Sequence, residues 1–182
     1  PVLAFGLLFI IAGLSPSWFW RAMAYLALFH FVKQQYGFFV LYRTRFGFNV
    51  PHRIFADAKI IYLAPLYPVA YWHLQGERNF AWFVSGDFFG LSILSSNALD
   101  LVLPICNVLY WILIAGWCAE EIYLCRKCRV PLPTGKILWL LTTAGNWYLG
   151  IVHFNSDIAF TLTNVIAHGV PYIALIFFYI DK

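Results

Sequence analysis

The chain reads as long apolar runs broken by short polar or basic stretches, with little of the strict alternation that marks half-buried strands. Six runs stand out: Val2–Leu14, Trp18–Tyr42, Ala58–His73, Leu99–Ala119, Ile137–Phe154 and Ile158–Ile180. A helix needs about 20 apolar residues to cross the hydrocarbon core of a bilayer, and these runs meet or approach that length. The first is short and ends at the turn Ser15-Pro16-Ser17. Pro65, Pro68, Pro104 and Pro171 fall inside runs, which membrane helices tolerate when neighbours re-satisfy the freed carbonyls. The pattern predicts an all-α, polytopic transmembrane bundle of six spans, forming a single integral membrane domain over 1–182.

Composition agrees. Of 182 residues, 62% are hydrophobic, 20% aromatic and 11% charged, whereas an ordinary soluble domain carries about 25% charged and about 45–50% apolar residues. Eighteen Phe, eleven Tyr and eight Trp exceed what a water-soluble globule of this size can bury. The expected solvent is a lipid bilayer, and neither a disordered chain nor a nucleic-acid-binding module fits. The chain begins at Pro1 and its single methionine, Met23, lies inside an apolar run, so the sequence is read as a fragment. No basic region or small-residue cleavage site precedes the first run, as a signal peptide would require.

Charge bears on orientation and on one ambiguous segment. Phe80–Leu94 is apolar enough for a seventh span but is interrupted by Gly86, Asp87, Gly90 and Ser92. With six spans, one side collects Arg43, Arg45, Arg53, Lys59, Arg126, Lys127, Arg129, Lys136 and Lys182, and the other keeps Arg21 and Arg78. A seventh span would divide these charges between both faces. The positive-inside tendency therefore favours six spans, basic loops 43–59 and 120–136 in the cytoplasm, and Phe80–Leu94 as a re-entrant or interfacial helix.

Polar side chains inside the spans carry the candidate chemistry, because each costs a few kcal/mol or more to insert. In the second span His30, Lys33, Gln34 and Gly37 share one helical face by their i, i+3, i+4, i+7 spacing, with Gln35 and Tyr36 to the side. The last span repeats the device with Asp157, Thr161, Asn164, His168 and Tyr172. The fifth offers Thr142, Asn146, Gly150 and His153, and the fourth offers Asp100 and Asn107. Such stripes are expected to converge inside the bundle. His30 lies twelve residues beyond Trp18 and His168 ten beyond Ile158, so both sit roughly 15–18 Å deep at ~1.5 Å per residue.

Neutral imidazole is a common ligand of iron, copper and zinc, with its second nitrogen oriented by a carboxylate or amide. His30 and His168, joined by His153, are the candidate metal ligands, and Asp157 and Asn164 would orient them. Two histidines at one depth on separate helices also suit a haem clasped from both faces, so iron or haem is the expected cofactor. The competing reading is an interhelical hydrogen bond, which Asn and Thr make equally well. Lys33 is expected to pair with a carboxylate such as Asp100 or to hold an anionic headgroup, and Gln34 to hold a polar substrate head. His73, beside Trp72, reads as interfacial, and His52 as a solvated loop residue. Gly37, Gly145, Gly150 and Gly169 read as sites of close helix packing.

Cys125-Arg126-Lys127-Cys128 is a C-x-x-C, yet no second such pair exists to complete a zinc site. In a cytoplasmic loop it reads as an ordinary reduced pair. No Gly-rich phosphate loop, G-x-S-x-G elbow or H-E-x-x-H helix is present. Two functions remain. One is a metal-dependent, iron-type oxidoreductase acting on a lipid or isoprenoid, with Lys33, Gln34, Asn164 and Asp157 serving the reaction. The other is a non-catalytic carrier or assembly subunit of a membrane complex, whose polar stripes hold helices together or pass protons or small solutes.

Overall fold

The computed structural model describes residues 6, 7, 9, 10, 13, 15–45, 51–75, 79–91 and 95–180. Among these the structure is all-helical, with no strand. Helix α1 runs Pro16–Arg45, α2 Pro51–Leu74, α3 Ser96–Cys128 and α4 Thr134–Trp147, the last continuing as a π-helical stretch over Tyr148–His153. The final rod comprises α5 (Asp157–Phe160), a second π-helical stretch (Thr161–Ile166) and α6 (Ala167–Ile180). Its backbone stays right-handed helical through both junctions. The expected first span, Val2–Leu14, falls mostly outside the described residues.

Local chemistry sets the boundaries. Pro16 and Pro51 each open a helix, where a missing N–H costs nothing. Ser95 caps α3, its hydroxyl accepting from the Ala98 amide, and Ser156 caps α5 through Ala159 N–H. Helix α3 ends where Arg129 turns left-handed at φ 53° and Val130 N–H closes onto the Cys125 carbonyl at 3.0 Å. Pro68 removes the bond that the Ala64 carbonyl would accept within α2. The Tyr110 hydroxyl, arriving from α3, donates to that carbonyl at 2.9 Å, the repair expected when proline sits inside a packed helix.

Two helices, Ser96–Cys128 and Asp157–Phe178, are long and apolar enough to cross a membrane. Among the described residues these two are found rather than six, so the six-span bundle is not supported. The other expected runs do fall within helices, but those helices are enriched in Trp, Tyr and ionisable residues that dilute their apolar character. The loop expected at 120–136 is also shorter than its charges suggested. Helix α3 continues to Cys128, carrying Glu120, Glu121 and the C-x-x-C within it.

The buried core has two storeys. Phe39, Ile61, Tyr110, Ile114, Trp117 and Leu140 bring α1, α2, α3 and α4 together in one. Ala24, Val69, Trp72, Trp147, Ile151 and Phe160 form the second, roofed by Phe80 and Phe88 from the 79–91 segment. That segment does not cross the bundle, but it is not a helix either: it is an irregular cap. Asp87, buried, accepts Phe83 and Val84 N–H with one carboxylate oxygen and closes the turn at Gly86, whose φ is 79°. Glycines punctuate this backbone, so the turn outcompetes the helix.

His73 is buried within the bundle. Its Nδ1 donates to the Val69 carbonyl at 2.7 Å, which leaves Nε2 to accept the Tyr25 hydroxyl at 2.8 Å. Tyr25 in turn accepts Phe89 N–H, tying the cap to α1 and α2.

Candidate functional site

Helices α1 and α6 meet through His30, Phe31, Gln34 and His168. The two imidazoles lie edge to face with centroids 5.5 Å apart. His168 is stacked on Phe31 at 3.6 Å and 10°. Gln34 Nε2, one turn beyond His30, donates to the His168 carbonyl at 3.3 Å. Two of the expected ligands are therefore brought together, with Gln34 beside them. His168 is half-buried and His30 is exposed on the outer face of the described bundle.

Below His168 lies a cavity of about 60 Å³ between α1, α4 and the final rod. Its wall includes Gln35, Thr143, Asn146, Thr163, Asn164 and His168, with Trp139 and Trp147 closing it. Thr143 donates to Gln35 Oε1 at 2.9 Å, and Trp139 donates to the Gln35 carbonyl at 3.1 Å. Asn164 donates through Nδ2 to Thr163 Oγ1 at 2.9 Å. Its Oδ1, and Nδ1 of His168, are buried with no hydrogen-bond partner. Stripes from three helices do converge, as their polarity requires.

Thr142, Asn146, Asn164 and His168 line the cavity as their stripes require, and the departures on the final rod follow from its π-helical stretch. An extra residue per turn rotates everything beyond it, so a stripe drawn at 3.6 residues per turn loses register. The Phe154 N–H to Leu149 carbonyl bond, five residues apart, shows the wider turn. Asn164 and His168 turn inward, whereas Asp157, Thr161 and Tyr172 are exposed. On α4 the buried hydroxyl is Thr143 rather than Thr142, and Gln35 rather than its neighbours supplies the buried amide of α1. Where the two π-helical stretches face each other, Gly150 has no room for a side chain. A Cβ there would overlap Thr163 Oγ1 and Asn164 Nδ2 and lie 3.3 Å from Phe160 Cα. Gly37, Gly145 and Gly169 have open space instead.

Three candidates are placed elsewhere. His153 is exposed at the end of its π-helical stretch, edge-on to Phe154. Among the described residues no three of His, Cys, Asp and Glu gather as a metal-binding group. Asp157 accepts Ala81 N–H at 3.3 Å and so secures the cap rather than orienting an imidazole. Among the described residues Lys33 finds no carboxylate: its ammonium donates to the Tyr62 hydroxyl at 3.0 Å and sits over the Phe29 and Tyr62 rings. Asp100 is exposed on α3.

A second polar concentration, absent from the sequence expectations, closes the opposite end of the bundle. Arg53 and Asp57 from α2, Glu121 from α3 and Lys136 from α4 are all at most 2% exposed. Lys136 bridges Asp57 at 3.0 Å and Glu121 at 2.8 Å. Arg53 pairs with Glu121 and with the exposed Glu120, the latter at 2.8 Å. The Trp117 ring lies within 5.8 Å of Arg53 and 5.0 Å of Lys136. Burial lowers the proton affinity of Lys136, and Asp57 opposes that shift. Arg53 and Lys136 are thus ion-paired side chains rather than solvated loop charges. Cys125 is buried and Cys128 exposed, both free thiols.

Comparison with known protein families, curated proteins and solved structures finds no match.

Proposed function

We propose that the chain is an integral membrane protein whose centre is the His30–His168 pair, and that this pair nucleates the metal site of an iron-type oxidoreductase acting on a lipid or isoprenoid. Long runs of exposed Leu, Ile, Val and Phe on α3 and α6 support the membrane reading, since water would not tolerate such a continuous apolar face. The basic ends of α1, α2, α3 and α4 are assigned to the cytoplasmic side by the positive-inside tendency.

The observation that carries the site is the 5.5 Å approach of two imidazoles from different helices. A metal–nitrogen bond of about 2.0–2.1 Å places each ring centroid about 3.2 Å from a shared ion, so the observed spacing suits two histidines on one metal. Gln34, bonded to the His168 carbonyl, would hold the pair in place, and Asn164 would meet the polar end of the substrate. The remaining coordination positions would fall to water or substrate.

The missing third ligand among the described residues favours a second reading, a non-catalytic carrier or assembly subunit in which the pair is structural. Metal content separates the two. Detergent-purified protein is expected to carry one metal ion per chain, lost in His30→Ala and in His168→Ala while both variants still insert into membranes. His153→Ala is expected to keep the ion. Wild-type protein without metal, or metal unchanged in both variants, leaves the carrier reading.

A further inference from the structure

The cavity below His168 has a specific chemical demand. Its wall presents amide, hydroxyl and imidazole groups and no Asp, Glu, Lys or Arg. Asn164 is 3% exposed, and its amide orientation is fixed because Nδ2 donates to Thr163 Oγ1 and to the Asn146 carbonyl. That leaves Oδ1 as a buried acceptor to which no described residue donates, and Nδ1 of His168, in the same wall, is equally unpartnered. Buried polar atoms of this kind are normally satisfied. What enters must therefore bring an O–H or N–H, and must be neutral, because the wall offers no compensating charge.

Size narrows the choice. About 60 Å³ holds about two waters, or one hydroxyl with the carbon that bears it. Thr142, at the rim, is exposed, as are Leu138 and Leu141 on α4 and Ile166 and Val170 on the final rod. A hydrocarbon tail can lie along that outer face while its polar end turns inward.

We propose that this cavity receives the hydroxyl end of a long-chain lipid alcohol, its O–H donating to Asn164 Oδ1 and its oxygen accepting from the Gln35 or Asn146 amide. The assignment rests on the intramembrane centre proposed above and names its substrate class. Aldehydes and ketones lack the donor, and carboxylates and phosphates bring a charge that nothing in the wall neutralises.

The test is a tryptophan-fluorescence titration of the full chain in detergent micelles, exploiting Trp139 and Trp147 in the cavity wall. Hexadecan-1-ol and farnesol are compared with hexadecane, palmitate and hexadecyl phosphate, hexadecane controlling for partition into the micelle. The alcohols are expected to bind at least about tenfold more tightly than the other three, the value of one or two well-made hydrogen bonds. Asn164→Leu, checked for helicity by circular dichroism, is expected to erase that preference. If the variant does not fold, the wild-type comparison decides alone. Alcohols no tighter than hexadecane would mean that the cavity holds only water and would overturn the proposal. So would preference for palmitate or phosphate, or preference that survives in folded Asn164→Leu. Metal content on the same samples keeps the two readings apart. Alcohol preference without metal defeats only the metal assignment, and metal without alcohol preference defeats only the substrate class.

Discussion

Lys136→Met is expected to destabilise the fold more than any other single truncation considered, by about 3–5 kcal/mol. The ammonium of Lys136 is 1% exposed and holds both Asp57 and Glu121. Removing it leaves two buried carboxylates with Arg53 as their remaining cationic partner. An uncompensated buried charge costs more than the pair itself contributes, so loss of one partner is far worse than loss of both. The double variant Lys136→Met/Glu121→Gln is accordingly expected to recover part of the loss. Thermal unfolding of the purified variants in detergent measures it. Equal midpoints for wild type and Lys136→Met would show that the cluster is not closed in the folded protein.

Gly150→Val is expected to be the second most damaging change, and its effect reaches the centre. At this position a Cβ already overlaps the Thr163 hydroxyl and the Asn164 amide, and the Phe160 backbone behind them cannot retreat cheaply. Overpacking of a closed contact costs about 1–3 kcal/mol. Relief requires the two π-helical stretches to part, which displaces Asn164 from the cavity wall. Both unfolding midpoint and alcohol binding are therefore expected to fall, with Gly150→Ala showing the same signs at smaller size. Gly145→Ala is the internal comparison, because open space surrounds that position. It is expected to leave both quantities unchanged. A Gly150→Val protein as stable as wild type would show that the final rod does not lie against α4 in this register.

Helix existence was legible because apolar runs of this length have few alternatives. The expected segments around Trp18–Tyr42, Leu99–Ala119 and Ile158–Ile180 all lie inside observed helices. Membrane crossing was less legible: Lys33, Gln34, Gln35 and the many aromatic hydroxyls lower the apolarity of α1 and α2 without ending the helix. The convergence of His30 with His168 followed from polarity and depth alone. Membership of the cavity followed in part: Thr142, Asn146, Asn164 and His168 line it, whereas the π-helical turn at Thr161–Ile166 breaks the 3.6-residue register that placed Asp157, Thr161 and Tyr172 on the same stripe. Thr143 and Gln35 lie outside these turns, and their burial follows from the packing of α4 on α1, where the Thr143 hydroxyl meets the Gln35 side chain.

The ion cluster was hidden for a different reason. Arg53, Glu120, Glu121 and Lys136 sit at the borders of apolar runs, where charges ordinarily meet water. Only the packing of α2, α3 and α4 shows that they meet one another. The one available signal was acid and base at the same ends of neighbouring runs, Asp57 with Arg53 and Glu121 with Lys136. The cap gave a similar lesson: Gly86, Asp87 and Gly90 correctly argued against a crossing, and the same residues argued against the interfacial helix.

An intramembrane centre formed where α1 and α6 bring His30 and His168 together requires both positions to meet inside the membrane. Cross-linking in the membrane tests it most directly. Cys106, Cys118, Cys125 and Cys128 are replaced by serine, His30→Cys and His168→Cys are introduced, and carbonate-washed membranes are treated with a short bifunctional maleimide. The chain is expected to stay with the membrane pellet, and mass spectrometry is expected to find the α1 and α6 peptides linked through positions 30 and 168. A chain stripped from the membrane by carbonate, or one that stays but yields no such linked peptide, would contradict it.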